Sequence, residues 1–268
     1  MVPRQPLLAI ESQARLVHLA GAQLPFNFAL LQTAWNAQEV AKLIVEYEAA
    51  LPPGGWPNWV LGNHDQPRVA ARIGSGQARI AAMLLLTLRG TPTMYYGDEL
   101  GIGRVEVPPG RTQDPWEKNE PGLGVGRDPS RTPFQWTGGA NAGFSSAQPW
   151  LPIDPDYRSR NVESLRGDPA SILTLYRALI ALRRQHCALS IGDFRLVGAD
   201  RDVLAFERRH GGVTMTVVLN FAHEERGVAA LLQEAGAHIV LSTHLDRAGP
   251  AAQLRLRPDE GVILQSNG

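Results

Sequence analysis

An α/β chain with an all-β tail is what the sequence predicts, on three observations. Up to about residue 188, short apolar runs alternate with stretches of helical periodicity. Polar residues able to do chemistry follow those apolar runs at their C-terminal ends, as in parallel β/α units. From about residue 189 the helical spacing stops, and short strand-like runs parted by Gly, Asp and His take over. The expected organisation is a parallel β/α domain over residues 1–188 and a small antiparallel β-sandwich over 189–268. A long irregular segment, 101–166, lies inside the first.

In chain order, the first apolar run covers residues 7–10 and ends at Glu11; the second covers 24–28. Asn36 is placed to cap a helix, with Glu39 three residues on to return a bond to the Asn36 N–H. Val40, Leu43, Ile44 and Tyr47 then share one helical face, and Pro52-Pro53-Gly54-Gly55 stops the helix. The third strand is 59–62. Residues 77–88 predict a helix apolar nearly all round, hence deeply buried, with Gly90 ending it. The fourth strand is 93–96, running into Gly97-Asp98-Glu99. Across 101–166, Trp116, Trp136 and Trp150 punctuate a stretch rich in Gly, Pro, Asp and Asn, which favours a packed loop system. Asp168 as cap and Pro169 as first helical residue predict a further helix, with Ile172, Tyr176, Leu179 and Ile180 as its apolar stripe. The tail strands are 194–197, 203–207, 213–219, 238–243, 253–256 and 261–264.

With 268 residues and 44% apolar content, the chain can build a sizeable core. Lys+Arg and Asp+Glu both total 26, so bulk charge offers nothing to nucleic acid or to an anionic membrane. The single cysteine, Cys187, excludes an intrachain disulfide framework and a cysteine-based zinc cluster, and a cytoplasmic setting is expected. No metal or other cofactor is expected, since His186, His223 and His244 are scattered along the chain. The longest apolar run, 80–88, is far short of the ~20 residues that span a bilayer. The N-terminal run is too short for a signal-peptide core.

The segment Trp59-Val60-Leu61-Gly62-Asn63-His64-Asp65-Gln66-Pro67-Arg68 carries most of the functional information. An apolar run ends in a polar cluster that sets an Asp beside a His, the form of a strand delivering a carboxylate to a pocket mouth. Spacing alone leaves two readings of Asp65. Either it caps a helix while His64 packs on a neighbour, or it faces a cavity and stabilises a cationic transition state. Arg68, three residues on, is placed to hold a carboxylate or a hydroxyl.

Segments 56–72, Gly90-Thr91-Pro92-Thr93-Met94-Tyr95-Tyr96-Gly97-Asp98-Glu99-Leu100-Gly101, and Gly126-Arg127-Asp128-Pro129-Ser130-Arg131-Thr132-Pro133-Phe134-Gln135-Trp136 occur in this order, followed by Asn141-Ala142-Gly143-Phe144-Ser145 and Pro149-Trp150-Leu151-Pro152. In this set and order the chain resembles α-glucosidases of the α-amylase superfamily, glycoside hydrolase family 13, in the oligo-1,6-glucosidase and maltase branch. The likeness runs from roughly residue 21 to 189. It implies that the first domain is the C-terminal part, about four strands, of a (β/α)8 TIM barrel. It implies an α-linked gluco-oligosaccharide substrate, Asp65 as the transition-state-stabilising carboxylate and His64 as its substrate-binding neighbour. Arg131, in a segment similar to the family's Arg-Thr-Pro-Met-Gln-Trp, is implied near the sugar cleft, with Phe134 standing where Met is usual.

Two carboxylates complete the comparison. By order along the chain, Glu11 is implied as the general acid/base, with Ile10 in place of the family's Gly and a shorter distance to Leu24. Read from the residues alone, it is a solvated Glu near a terminus. No segment matches the strand that carries the family's nucleophilic Asp. Retaining glycosidases need two carboxyl groups about 5–5.5 Å apart. The resemblance therefore implies a fragment of a retaining α-glucosidase, inactive alone, whose exposed half-barrel favours self-association. A non-catalytic sugar- or partner-binding relative, and a trehalose synthase-like transglycosylase or isomerase, stay open.

Overall fold

The computed structural model describes residues 24–229, 231, 237–251 and 253–267. Glu11 and the apolar run 7–10 lie outside the described residues. The first region is built on two parallel strands, β1 (Asn58–Val60) and β2 (Thr91–Thr93), in register Trp59↔Pro92. The run 24–28 contributes one parallel bridge, Asn27↔Trp59, rather than a strand. The strand expected at 93–96 lies earlier, at 91–93.

Gly90 fixes the approach to β2. Its φ is +120°, and a Cβ there would stand 2.5 Å from the Pro57 carbonyl oxygen, so only glycine brings the two strands together at this point.

The helix Ala37–Ala50 follows the expected pattern, with Val40, Leu43, Ile44 and Tyr47 buried. Asn36 Oδ1 accepts from Glu39 N at 3.0 Å, while the Asn36 N–H goes to the Ala34 carbonyl at 2.9 Å. The cap is therefore one-way, and the expected return bond from Glu39 is replaced by a backbone one. The helix Val69–Thr87 is broken at Gly74 (φ 83°, ψ 162°), and its buried portion from Gln77 onward is the one the apolar pattern predicted. The helix Ile172–Gln185 starts later than expected. Ser171, not Asp168, caps it, accepting from Thr174 N at 3.1 Å, while Asp168 turns back to accept from Ala170 N at 2.8 Å.

The tail is an antiparallel sheet of six strands: β3 (Asp193–Ala199), β4 (Val203–His210), β5 (Val213–Asn220), β7 (His238–Ser242), β8 (Gly249–Pro250) and β10 (Gly261–Asn267). Their order is β3-β4-β5-β10-β7-β8. A two-residue pair, β6 (Arg226–Gly227) with β9 (Arg255–Leu256), forms a separate small sheet. Period-two alternation divides the six-stranded sheet into two apolar faces. Leu204, Phe206, Val217 and Ile263 join one core with Tyr47, Trp59, Met83, Leu84 and Leu179 from the helices and β1. Val203, Ala205, Val218 and Val262 face the other way, against Val228, Leu254 and Leu256. The first core thus crosses residue 189, and the sheet braces the helices that in turn hold β1 and β2.

No described helix is long and apolar enough to cross a membrane.

Candidate functional site

β1 ends at Val60, and the chain leaves it through Leu61 and Gly62 into a tight turn. Asn63 makes that turn: its Oδ1 accepts from Asp65 N at 3.0 Å and from Gln66 N at 2.9 Å. His64 and Asp65 are thereby presented at the strand tip, with side chains 61% and 43% exposed.

Asp65 faces a cavity of about 230 Å³ bounded by Gln66, Pro67, Arg104, Gly124–Gly126 and Ser130, with Trp116 on its lining. One carboxylate oxygen is heavily engaged. Oδ1 lies 3.0 Å from Arg131 Nη2, 3.3 Å from His64 Nε2 and 3.4 Å from Arg127 Nη1. Oδ2 accepts no hydrogen bond among the described residues. Arg131 also donates from Nε to the His64 carbonyl at 3.1 Å, so one guanidinium fixes both residues of the pair.

The loop that delivers Arg131 is pinned to the end of β2. Tyr95 Oη donates to the Ser130 carbonyl (2.9 Å), Tyr96 Oη to the Thr132 carbonyl (2.8 Å), and Ser130 Oγ to the Gln66 carbonyl (2.7 Å). Phe134 packs as an aromatic would, 4.7 Å from the Trp136 ring and 6.3 Å from that of Tyr96, so its exchange for Met is absorbed by ring contacts.

Arg127 is the residue that sequence reasoning missed. It is held by Asp114, whose buried carboxylate accepts from Arg127 Nε (2.7 Å), Nη2 (2.9 Å) and N (2.8 Å) and from Trp116 N (3.1 Å). These bonds hold the Asp114 carboxyl well below the usual carboxylate range. Asp128 in turn accepts from the N–H groups of Gln113 (2.6 Å) and Asp114 (2.9 Å), a loop-fixing role. The available signal was Asp114-Pro115, a cap followed by a first-turn proline, which marks a short ordered helix at Pro115–Asn119.

Arg68 corrects an expectation. It is 1% exposed rather than held out to a ligand, with its guanidinium 4.5 Å over the Tyr96 ring and 5.2 Å over that of Tyr95. Its Nη1 donates to the Tyr96 carbonyl. Two flanking tyrosines and a carbonyl make it part of the cavity's base.

A family model described as the α-amylase catalytic domain matches residues 16–192. The chain belongs to the α-amylase family. Among its relatives, the salivary α-glucosidase of Anopheles gambiae is 36% identical over 263 residues, covering 91% of this chain and 44% of that protein. The oligo-1,6-glucosidase of Parageobacillus thermoglucosidasius is 30% identical over 257 residues, covering 85% and 46%. Among solved structures, the α-glucosyl transfer enzyme XgtA matches with a TM-score of 0.84 at 29% identity, covering 96% of this chain and 49% of that one. This α-amylase-family chain thus spans about half the length of the relatives it matches. The α-glucosidase resemblance read from the sequence agrees with these matches.

Proposed function

We propose that this chain is the part of a retaining α-glucosidase that stabilises the transition state, acting on terminal α-glucosidic bonds of short oligosaccharides. The observation that carries the reading is the Asp65 carboxylate at a cavity, one oxygen held by His64, Arg127 and Arg131 and the other unengaged among the described residues. The held oxygen keeps the group in one orientation. The free oxygen is the acceptor for sugar hydroxyls and the partner of an oxocarbenium-like charge. His64 lies beside it as a donor to the same ring, Arg131 orients both, and Arg68 braces the loop from beneath. Glu11 takes the general acid/base role, and residues 1–188 and 189–268 act as a partial TIM barrel and a C-terminal β-sandwich domain.

No segment of the sequence resembles the family's nucleophile strand, so covalent catalysis is missing and the chain alone has little activity. Release of nitrophenol from nitrophenyl α-glucoside by the purified chain tests this. The reading expects background rates. Robust turnover that Asp65→Asn abolishes would overturn the inactivity claim while keeping the sugar site.

A second reading, glucosyl transfer in place of hydrolysis, is favoured by the likeness to an α-glucosyl transfer enzyme. With glucose added as acceptor to an active assembly, transfer yields disaccharide and hydrolysis yields free glucose. The half-exposed Leu24 and Phe26 beside the Asn27 bridge support self-association of the first region. Sedimentation expects a dimer or larger, and a stable monomer at tens of micromolar contradicts it.

A further inference from the structure

Beneath the Asp65 loop lies an acid that the proposed chemistry does not use. Asp98 opens the 3-10 turn Asp98–Leu100 and is 5% exposed. Its Oδ1 is buried without a hydrogen-bond partner among the described residues. A Cβ at Gly62 would stand 2.8 Å from Asp98 Oδ2, so glycine alone lets the loop's first residue settle on this carboxyl.

The loop above is stapled at both ends by arginines. Arg72 donates to the Leu61 carbonyl where the loop begins and, at 3.1 Å, to the Pro67 carbonyl where it ends. Arg68 leaves the loop to stack on Tyr96, and a Cβ at Gly97 would meet its Nη1 at 2.8 Å. The charges bearing on Asp98 come from every element around it. They are Arg68 from the loop, Glu99 from its own turn and Arg72 from the helix Val69–Thr87. Tyr176, fully enclosed in the helix Ile172–Gln185, feels the Asp98 and Glu99 charges in turn.

We propose that Asp98 is a positioning residue for the Asp65 loop: its buried carboxyl seats Gly62, and its ionisation sets how firmly the loop closes. The inference rests on the reading of Asp65 as the sugar-facing carboxylate. Burial pushes the Asp98 carboxyl up to about 7, and the two arginines offset that only in part. Opening the loop gives the carboxyl access to water and returns it toward an ordinary carboxylate. By linkage, the neutral form favours the closed loop and ionisation favours opening.

Hydrogen exchange of the intact chain, corrected for intrinsic rates, tests this. Protection of peptides over 61–72 is expected to fall roughly tenfold as pH rises from about 6 to about 8, while peptides over 203–220 hold theirs. Asp98→Asn, which cannot ionise, is expected to remove that step. His64→Ala, which removes the exposed histidine beside Asp65, is expected to keep it and is the control if Asp98→Asn does not fold. Constant wild-type protection of 61–72 overturns the proposal. So does a step that survives Asp98→Asn, or one that vanishes in His64→Ala. Added maltose separates the two readings: a pH step with no maltose effect keeps the role of Asp98 and removes the sugar site.

Discussion

At the seam between the helices and the six-stranded sheet, Arg208 is fully buried and donates to the carbonyls of Thr87 (2.6 Å), Leu189 (2.9 Å) and Gly192 (2.8 Å). Arg183 does the same for Leu86 (2.9 Å), Leu88 (3.0 Å) and Gly90 (2.5 Å). At the cavity, Arg127 and Arg131 are about a third exposed and meet carboxylates. The seam arginines answer the unpaired carbonyls at the end of the helix Val69–Thr87, where the helix dipole welcomes a cation. Burial lowers Arg208 to about 9, which still leaves it charged at neutral pH. A cation on buried neutral acceptors ties the fold together. A cation on a wet carboxylate contributes little stability and can exchange partners with a ligand.

The largest effect that would break this contrast is at the seam. Arg208→Ala leaves three carbonyls without their donor and is expected to cost about 3–5 kcal/mol in urea unfolding, against under about 1 kcal/mol for Arg131→Ala. Equal costs would mean that the two regions do not differ in this way.

A comparable effect separates two buried acids by pH. The Asp98 carboxyl is raised to about 7 in the fold, so its contribution to stability is fully present below about pH 4 and is lost as pH rises through about 7. At 1.36 kcal/mol per pKa unit the loss is about 4 kcal/mol, and Asp98→Asn should remove that slope. The Asp114 carboxyl is depressed by Arg127, so its contribution is present above about pH 4 and is lost as pH falls through its low folded value. Asp114→Asn should cost about 1–3 kcal/mol and change Trp116 fluorescence, because the Trp116 N–H and Arg127 lose their shared acceptor. No change in the Trp116 signal would mean that the loop is fixed by other contacts.

The smallest effects concern helix caps. Ser171→Ala should cost about 1 kcal/mol and Asp168→Ala less, which thermal unfolding resolves; the reverse order would restore the cap expected from sequence.

That cap shows where sequence reading runs out. The stripe of the helix Ile172–Gln185 was legible because its period is strong, but Asp168 followed by Pro169 pointed to an earlier start. Only the fold shows that Asp168 closes a turn on Ala170. In the tail, β4 and β5 were legible from alternation, whereas β6 and β8, two residues each, carry no pattern to read. In the first region, 24–28 looked like a strand yet makes a single bridge, because a short apolar run fits a strand edge and a loop equally well.

The site divides in the same way. The family likeness brought Asp65, His64 and Arg131 together across 66 residues, a contact no spacing rule supplies. Arg127 stayed hidden because its partner Asp114 sits in an irregular segment without periodicity. Arg68 was misread because its burial is decided by Tyr95 and Tyr96, far along the chain.

Calorimetric titration of the chain with maltose measures the central claim, that Asp65 and its neighbours form a site for a glucose ring. Binding in the millimolar range or tighter, lost at least tenfold in both Asp65→Ala and His64→Ala, is the expected result. Absence of heat in the wild-type chain, or binding that both variants keep unchanged, would contradict it.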